Sequence, residues 1–121
     1  MRAKFQIVRG PWTEWKELFE EAARKATEVG RDRLIGFSQS EDRNEGVLTI
    51  WHWERKVEAP RAGWQVKFRV FRGLCTAWQT LYGETAQFLG EVGAEQLIGV
   101  SQSEDKGDSV VAVWYWEQLP Q

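Results

Sequence analysis

The stretch Leu34-Ile35-Gly36-Phe37-Ser38-Gln39-Ser40-Glu41-Asp42 recurs 63 positions later as Leu97-Ile98-Gly99-Val100-Ser101-Gln102-Ser103-Glu104-Asp105, with one substitution, Phe37 for Val100. Extended outward, residues 1–57 align with 64–120 without a gap, and 24 of the 57 positions are identical. Trp51-His52-Trp53-Glu54 answers to Trp114-Tyr115-Trp116-Glu117. The chain is therefore a tandem duplication. Two copies fall short of a solenoid, which needs about three or more repeats. One unit of this size also buries too little surface to be secure alone. Residues 1–121 accordingly read as a single pseudo-two-fold domain. Repeats 1–57 and 64–120 share one core and are joined by a short linker at 58–63, where Pro60 and Gly63 mark the break.

Hydrophobic period changes in the same order within each repeat. Ala3, Phe5 and Ile7 alternate with Arg2, Lys4 and Gln6, which predicts a strand with one buried face. Val66, Phe68 and Val70 repeat it. A helical stripe follows: Trp15, Leu18, Phe19, Ala22, Ala23, Ala26 and Val29, then Trp78, Leu81, Tyr82, Ala86, Leu89 and Val92 in the second copy. Helices are expected over Thr13 to Val29 and Thr76 to Val92. Pro11 suits a first turn, Thr76 with Gln79 forms a capping box, and Gly30 and Gly93 stand at left-handed C-caps. Short strands at 34–38 and 97–101 lead through a polar loop into strands at 47–53 and 110–116, each pair an antiparallel hairpin. The fold class is α+β: a duplicated β-α-β-β unit with six mainly antiparallel strands and two helices on one face. The strands form one sheet or two abutting three-stranded sheets.

Two surfaces stand out. The last strand of each repeat is apolar on both faces. Leu48 and Ile50, or Val111 and Val113, occupy one face and should meet the helices. Trp51 and Trp53, or Trp114 and Trp116, occupy the other. Four such rings exceed what a monomer normally leaves open. They form the core between the halves, a subunit interface, or a platform for a planar or apolar ligand. The second surface is on the second helix, which carries only Glu84 and Glu91 where the first carries eight charges. Gly83, Gln87, Phe88 and Gly90 are its candidate interface residues, and a two-fold contact with a second subunit is the expectation.

Chemistry finds little support. No HExxH, paired CxxC, P-loop or GxGxxG motif occurs. His52 is the only histidine and Cys75 the only cysteine, so neither a triad nor a cysteine-based metal site assembles itself. Cys75 reads as a small buried residue. Glu41, Asp42, Asn44 and Glu45 lack EF-hand spacing and read as a solvated turn. Glu54 and Glu117 could act as bases only if desolvated; strand ends are their plainer role. No catalytic residue, metal ligand or cofactor is assigned.

Composition narrows the rest. Net charge is −2 and the aromatic signature segments of RNA-recognition folds are absent, so nucleic acid is not an expected partner. The first ten residues hold no long apolar run, and no stretch reaches membrane-spanning length. A cytoplasmic, non-catalytic structural or interaction module forming a homodimer is the expectation. The alternative is a small-molecule binding protein that stacks its ligand on the Trp-lined strands. The strand–helix–strand–strand order resembles that of the dodecins, small flavin-storing proteins that place Trp against the flavin ring. The resemblance lies in element order alone and implies a planar ligand.

Overall fold

A computed structural model describes residues 2–54, 63–74, 77–105 and 107–120. The first repeat runs β1 (Arg2–Pro11), a 3₁₀ turn (Trp12–Glu14), α1 (Trp15–Val29), β2 (Leu34–Asp42) and β3 (Glu45–Glu54). The second runs β4 (Trp64–Leu74), α2 (Trp78–Val92), β5 (Leu97–Asp105) and β6 (Asp108–Gln118). Each repeat builds its own antiparallel three-stranded sheet, in the order β1-β3-β2 and β4-β6-β5. Of the two arrangements the sequence allowed, two abutting sheets is the one formed. Cys75, Thr76 and most of the linker lie outside the described residues.

Both helices end as the glycines predict. Gly30 (φ 89°) and Gly93 (φ 85°) donate their N–H groups to Ala26 and Leu89. Their backbone is not the left-handed helical form, since ψ is 161° and 156°, a region essentially reserved for glycine. Pro11 closes β1 instead of opening the helix, and one 3₁₀ turn intervenes.

The hairpins depart from expectation. Gln39 to Asp42 and Gln102 to Asp105 are not loop but strand, so β2 and β5 are nine residues long. The turn of the first hairpin shrinks to Arg43 and Asn44, both with positive φ (49° and 68°). Two such residues give the turn whose twist matches the flanking strands. The polar side chains of this segment are tolerated in a strand because they have partners.

The two sheets meet along β2 and β5. There Gln39 donates to Ser103 Oγ (2.9 Å) and accepts from the Ser101 hydroxyl. Phe37 of β2 lies flat on Trp114 of β6, centroids 3.8 Å apart and planes 9° from parallel. α1 fills the space between the sheets. On one side it covers Leu48, Ile50 and Val8 of its own sheet. On the other, Phe19 stacks on Trp114 (5.3 Å) and packs against Phe68 (5.4 Å) of the second sheet. α2 lies on the far face of the second sheet, where Phe88 touches Phe71 (6.0 Å) and Tyr115 (5.7 Å). Each helix thus covers the aliphatic face of its own sheet, and one core draws on both repeats.

The contact between the halves joins unlike surfaces. The first repeat contributes α1 and β2; the second contributes the Trp face of its sheet. α1 packs on β4, whereas α2 makes no comparable contact with the first sheet.

Candidate functional site

The tryptophan rows part company in the structure. Trp114 and Trp116 are buried, at 0% and 6% exposure, under α1. Their aligned counterparts Trp51 and Trp53 are 39% and 38% exposed. The face around them is equally open: Phe5 is 58% exposed and Ile7 50%, while the aligned Phe68 and Val70 are half-buried against the shared core. The alternation of Ala3, Phe5 and Ile7 thus does not mark a buried face in β1, contrary to its pattern. Val8, on the opposite face, is the buried residue there. The pattern is the one a covered face would carry, and in the second repeat α1 covers it. Among the described residues, no element covers it in the first.

Local geometry of the two Trp faces is otherwise conserved between repeats. Trp51 donates its indole N–H to Ser38 Oγ (3.0 Å), and Trp114 donates to Ser101 Oγ (2.9 Å). The repeated serine is therefore an acceptor for the repeated indole. Antiparallel register places Phe5 opposite Trp51 and Phe68 opposite Trp114. Phe5 tilts against Trp51 at 5.7 Å and 52°. A cleft of about 490 Å³ between α1 and β4 involves Thr27, Val66 and Phe68, and one of about 340 Å³ beside α2 involves Arg69, Gln87 and Phe88; neither is lined by a tryptophan.

The second surface anticipated from sequence is only partly one surface. Gly83, Gln87 and Gly90 are exposed on α2, and an added Cβ at either glycine would meet nothing within 4 Å. Phe88 faces the other way, half-buried against its own sheet. Helical spacing puts Gln79, Tyr82, Gly83, Ala86 and Gly90 on one outward stripe without charge. Tyr82 and Ala86 are exposed, yet they align with Phe19 and Ala23, both buried in the contact between halves.

His52, Glu54 and Glu117, the described residues considered for chemistry, each have a partner. His52 is 7% exposed, with Nε2 3.5 Å from Gln6 Nε2 and Nδ1 3.3 Å from the Trp53 carbonyl. Glu54 pairs with Lys4 (3.2 Å), and Glu117 accepts from Gln65 (3.1 Å). Among the described residues, no group of three or more His, Cys, Asp or Glu side chains converges as a metal site would. Tyr115, the counterpart of His52, has its phenol pushed above the ordinary range, first by burial and then by Glu117.

One cluster was not read from sequence. Trp12 is buried, donates to Asp108 Oδ2 (3.3 Å) and lies beneath Arg72, which pairs with Asp108 at 2.6 Å. Gly46 makes room for it: a Cβ there would fall 2.3 Å from the indole. The aligned pair in the second repeat is Cys75 and Ser109, so the large-with-small match at 12 and 46 was visible once the repeats were superposed.

No protein-family model, no curated protein and no solved structure matches the chain. Among the described residues, no helix is long and apolar enough to cross a membrane.

Proposed function

We propose that this chain is a non-catalytic interaction module that associates with copies of itself, and that the open Trp face of the first sheet is an association surface. The supporting observation is the burial contrast between aligned residues: Phe5, Ile7, Trp51 and Trp53 are open where Phe68, Val70, Trp114 and Trp116 are covered. With aromatics that bury about 150–250 Å² each when covered, this face leaves roughly 300–400 Å² of apolar surface in water. At about 25 cal/mol per Å², covering it is worth at most roughly 8–10 kcal/mol before association entropy and polar costs. A micromolar contact needs about 8 kcal/mol net, so the apolar area covered on the partner's side must add to it.

Phe5→Glu tests the reading. Position 5 is on an edge strand and largely in water, so the fold should tolerate a carboxylate there. In sedimentation equilibrium the wild type should associate and Phe5→Glu should shift to the chain mass of 14.1 kDa. Association unchanged by the charge would remove this face from the account. A wild type that stays monomeric, with Trp emission quenched by a planar aromatic probe, would hand the face to the ligand-platform reading.

A further inference from the structure

The chain contains a template for what covers its open face. In the second repeat the same face is covered by the outward stripe of α1, through Phe19, Ala23 and Thr27. Phe19 stacks on Trp114, and Thr27 Oγ1 accepts the backbone N–H of Val66 at 2.9 Å. The aligned stripe of α2 is Tyr82, Ala86 and Gly90, and it is exposed. One end of the molecule thus shows a Trp face without its helix, and the other shows a helix without its Trp face.

We infer that the α2 stripe of one copy docks on the Trp51–Trp53 face of a second copy, head to tail, repeating between chains the contact that α1 makes with the second sheet within one chain. The inference rests on the self-association reading above and names its geometry. It replaces the helix-on-helix contact expected from sequence with one in which unlike surfaces meet, made twice in a closed pair.

Three further details agree with it. Gln39 bridges from the first repeat to Ser101 and Ser103 of the second. Its counterpart Gln102, which accepts from the Tyr82 hydroxyl, is exposed, and so are Ser40 and Ser38, the latter an acceptor for Trp51. Phe37 lies flat on Trp114. Its counterpart Val100 is 43% exposed, free to cover Trp51 of another copy. The α2 stripe also carries no charge, whereas the α1 stripe has Lys16 and Glu20 at its margins, so the helix brings no charge of its own to be desolvated. Area fits as well. A contact covers similar area on both sides, so each chain of a closed pair would bury its sheet face and its helix stripe. That sums to roughly 600–800 Å² of surface per chain, near the ~800 Å² per partner of a standard interface.

Crosslinking separates this geometry from others. In a Cys75→Ser background, Ser40→Cys and Gln102→Cys are made as two single-cysteine proteins, both at exposed sites. Each is treated with a short bismaleimide, alone and as an equimolar mixture, at a concentration where light scattering shows association. The expected result is a covalent dimer in the mixture and none in either protein alone, because positions 40 and 102 meet only each other. Dimer formed by one variant alone, or no dimer in a mixture that scatters as an oligomer, would overturn the head-to-tail contact while leaving self-association intact. A wild type that remains at 14.1 kDa at every concentration would instead remove the self-association reading on which the inference stands.

Discussion

Replacing Trp114 by alanine removes the ring around which the two halves are assembled. The indole is fully buried, stacked between Phe37 at 3.8 Å and Phe19 at 5.3 Å, and bonded to Ser101. Truncating a buried Phe or Trp to Ala costs about 3–5 kcal/mol. Losing the indole donor frees Ser101 in a network it shares with Gln39, adding a cost of order 1 kcal/mol. The sum, roughly 4–6 kcal/mol, is a large share of the ~5–15 kcal/mol by which an ordinary domain is stable. With a urea m-value of about 2 kcal/mol per M, the unfolding midpoint should fall by about 2–3 M, or the variant should not fold. Trp51→Ala is the control, because it removes the identical residue at the aligned position. Trp51 is already 39% exposed in the isolated chain, so its loss should cost less, about 2–4 kcal/mol, at concentrations too low for association. Far-UV circular dichroism against urea reads both. Equal losses at 51 and 114 in dilute protein would refute the claim that the two Trp faces differ in burial.

Three shorter predictions follow from other parts of the structure. Gly46→Ala places a methyl group 2.3 Å from the buried Trp12 ring, so it should destabilise by about 1–3 kcal/mol by urea titration, and the same change should cost less in a Trp12→Cys background. Ala86→Glu with Gly90→Glu meets no neighbour at Gly90 and replaces a helical glycine, so the melting temperature should hold or rise while the association constant falls at least tenfold. The Tyr115 phenol titrates above its unfolded value of about 10, so its neutral form favours the fold below that pH, and this contribution is lost as pH climbs through the raised value. Urea midpoints compared above pH 10 should therefore fall more steeply for the wild type than for Tyr115→Phe.

The repeat, the element order and the assignment of aliphatic faces to helices were legible because they rest on local period and on identity between copies. The extent of β2 and β5 was not. Ser-Gln-Ser-Glu-Asp has the composition of a loop, and only the partners found across the halves, Gln39 with Ser101 and Ser103, explain why it stays in a strand. The fate of the tryptophans was illegible for a sharper reason. Trp51 and Trp114 sit in nearly identical local sequence, with the same serine acceptor at the same spacing. What separates them is which helix lies across them, a non-local choice that no window of sequence carries. The helices hinted at it: α1 is apolar around a wide arc because it is covered on two sides. α2 keeps only Leu81 and Thr85 fully buried, yet it remains uncharged on its outer stripe. An uncharged stripe in water is hard to explain from the isolated chain and simple to explain if a Trp face comes to cover it. Phe88, grouped with that stripe by composition, belongs to the inner face, since the angle around the helix decides the matter.

The most direct test is the molar mass of the purified wild-type chain, measured by light scattering behind a sizing column over a wide range of loading concentrations. The account predicts a concentration-dependent rise from the chain mass of 14.1 kDa to at least twice that value, abolished by Phe5→Glu and by Ala86→Glu alike. A wild type that stays at 14.1 kDa throughout would contradict it.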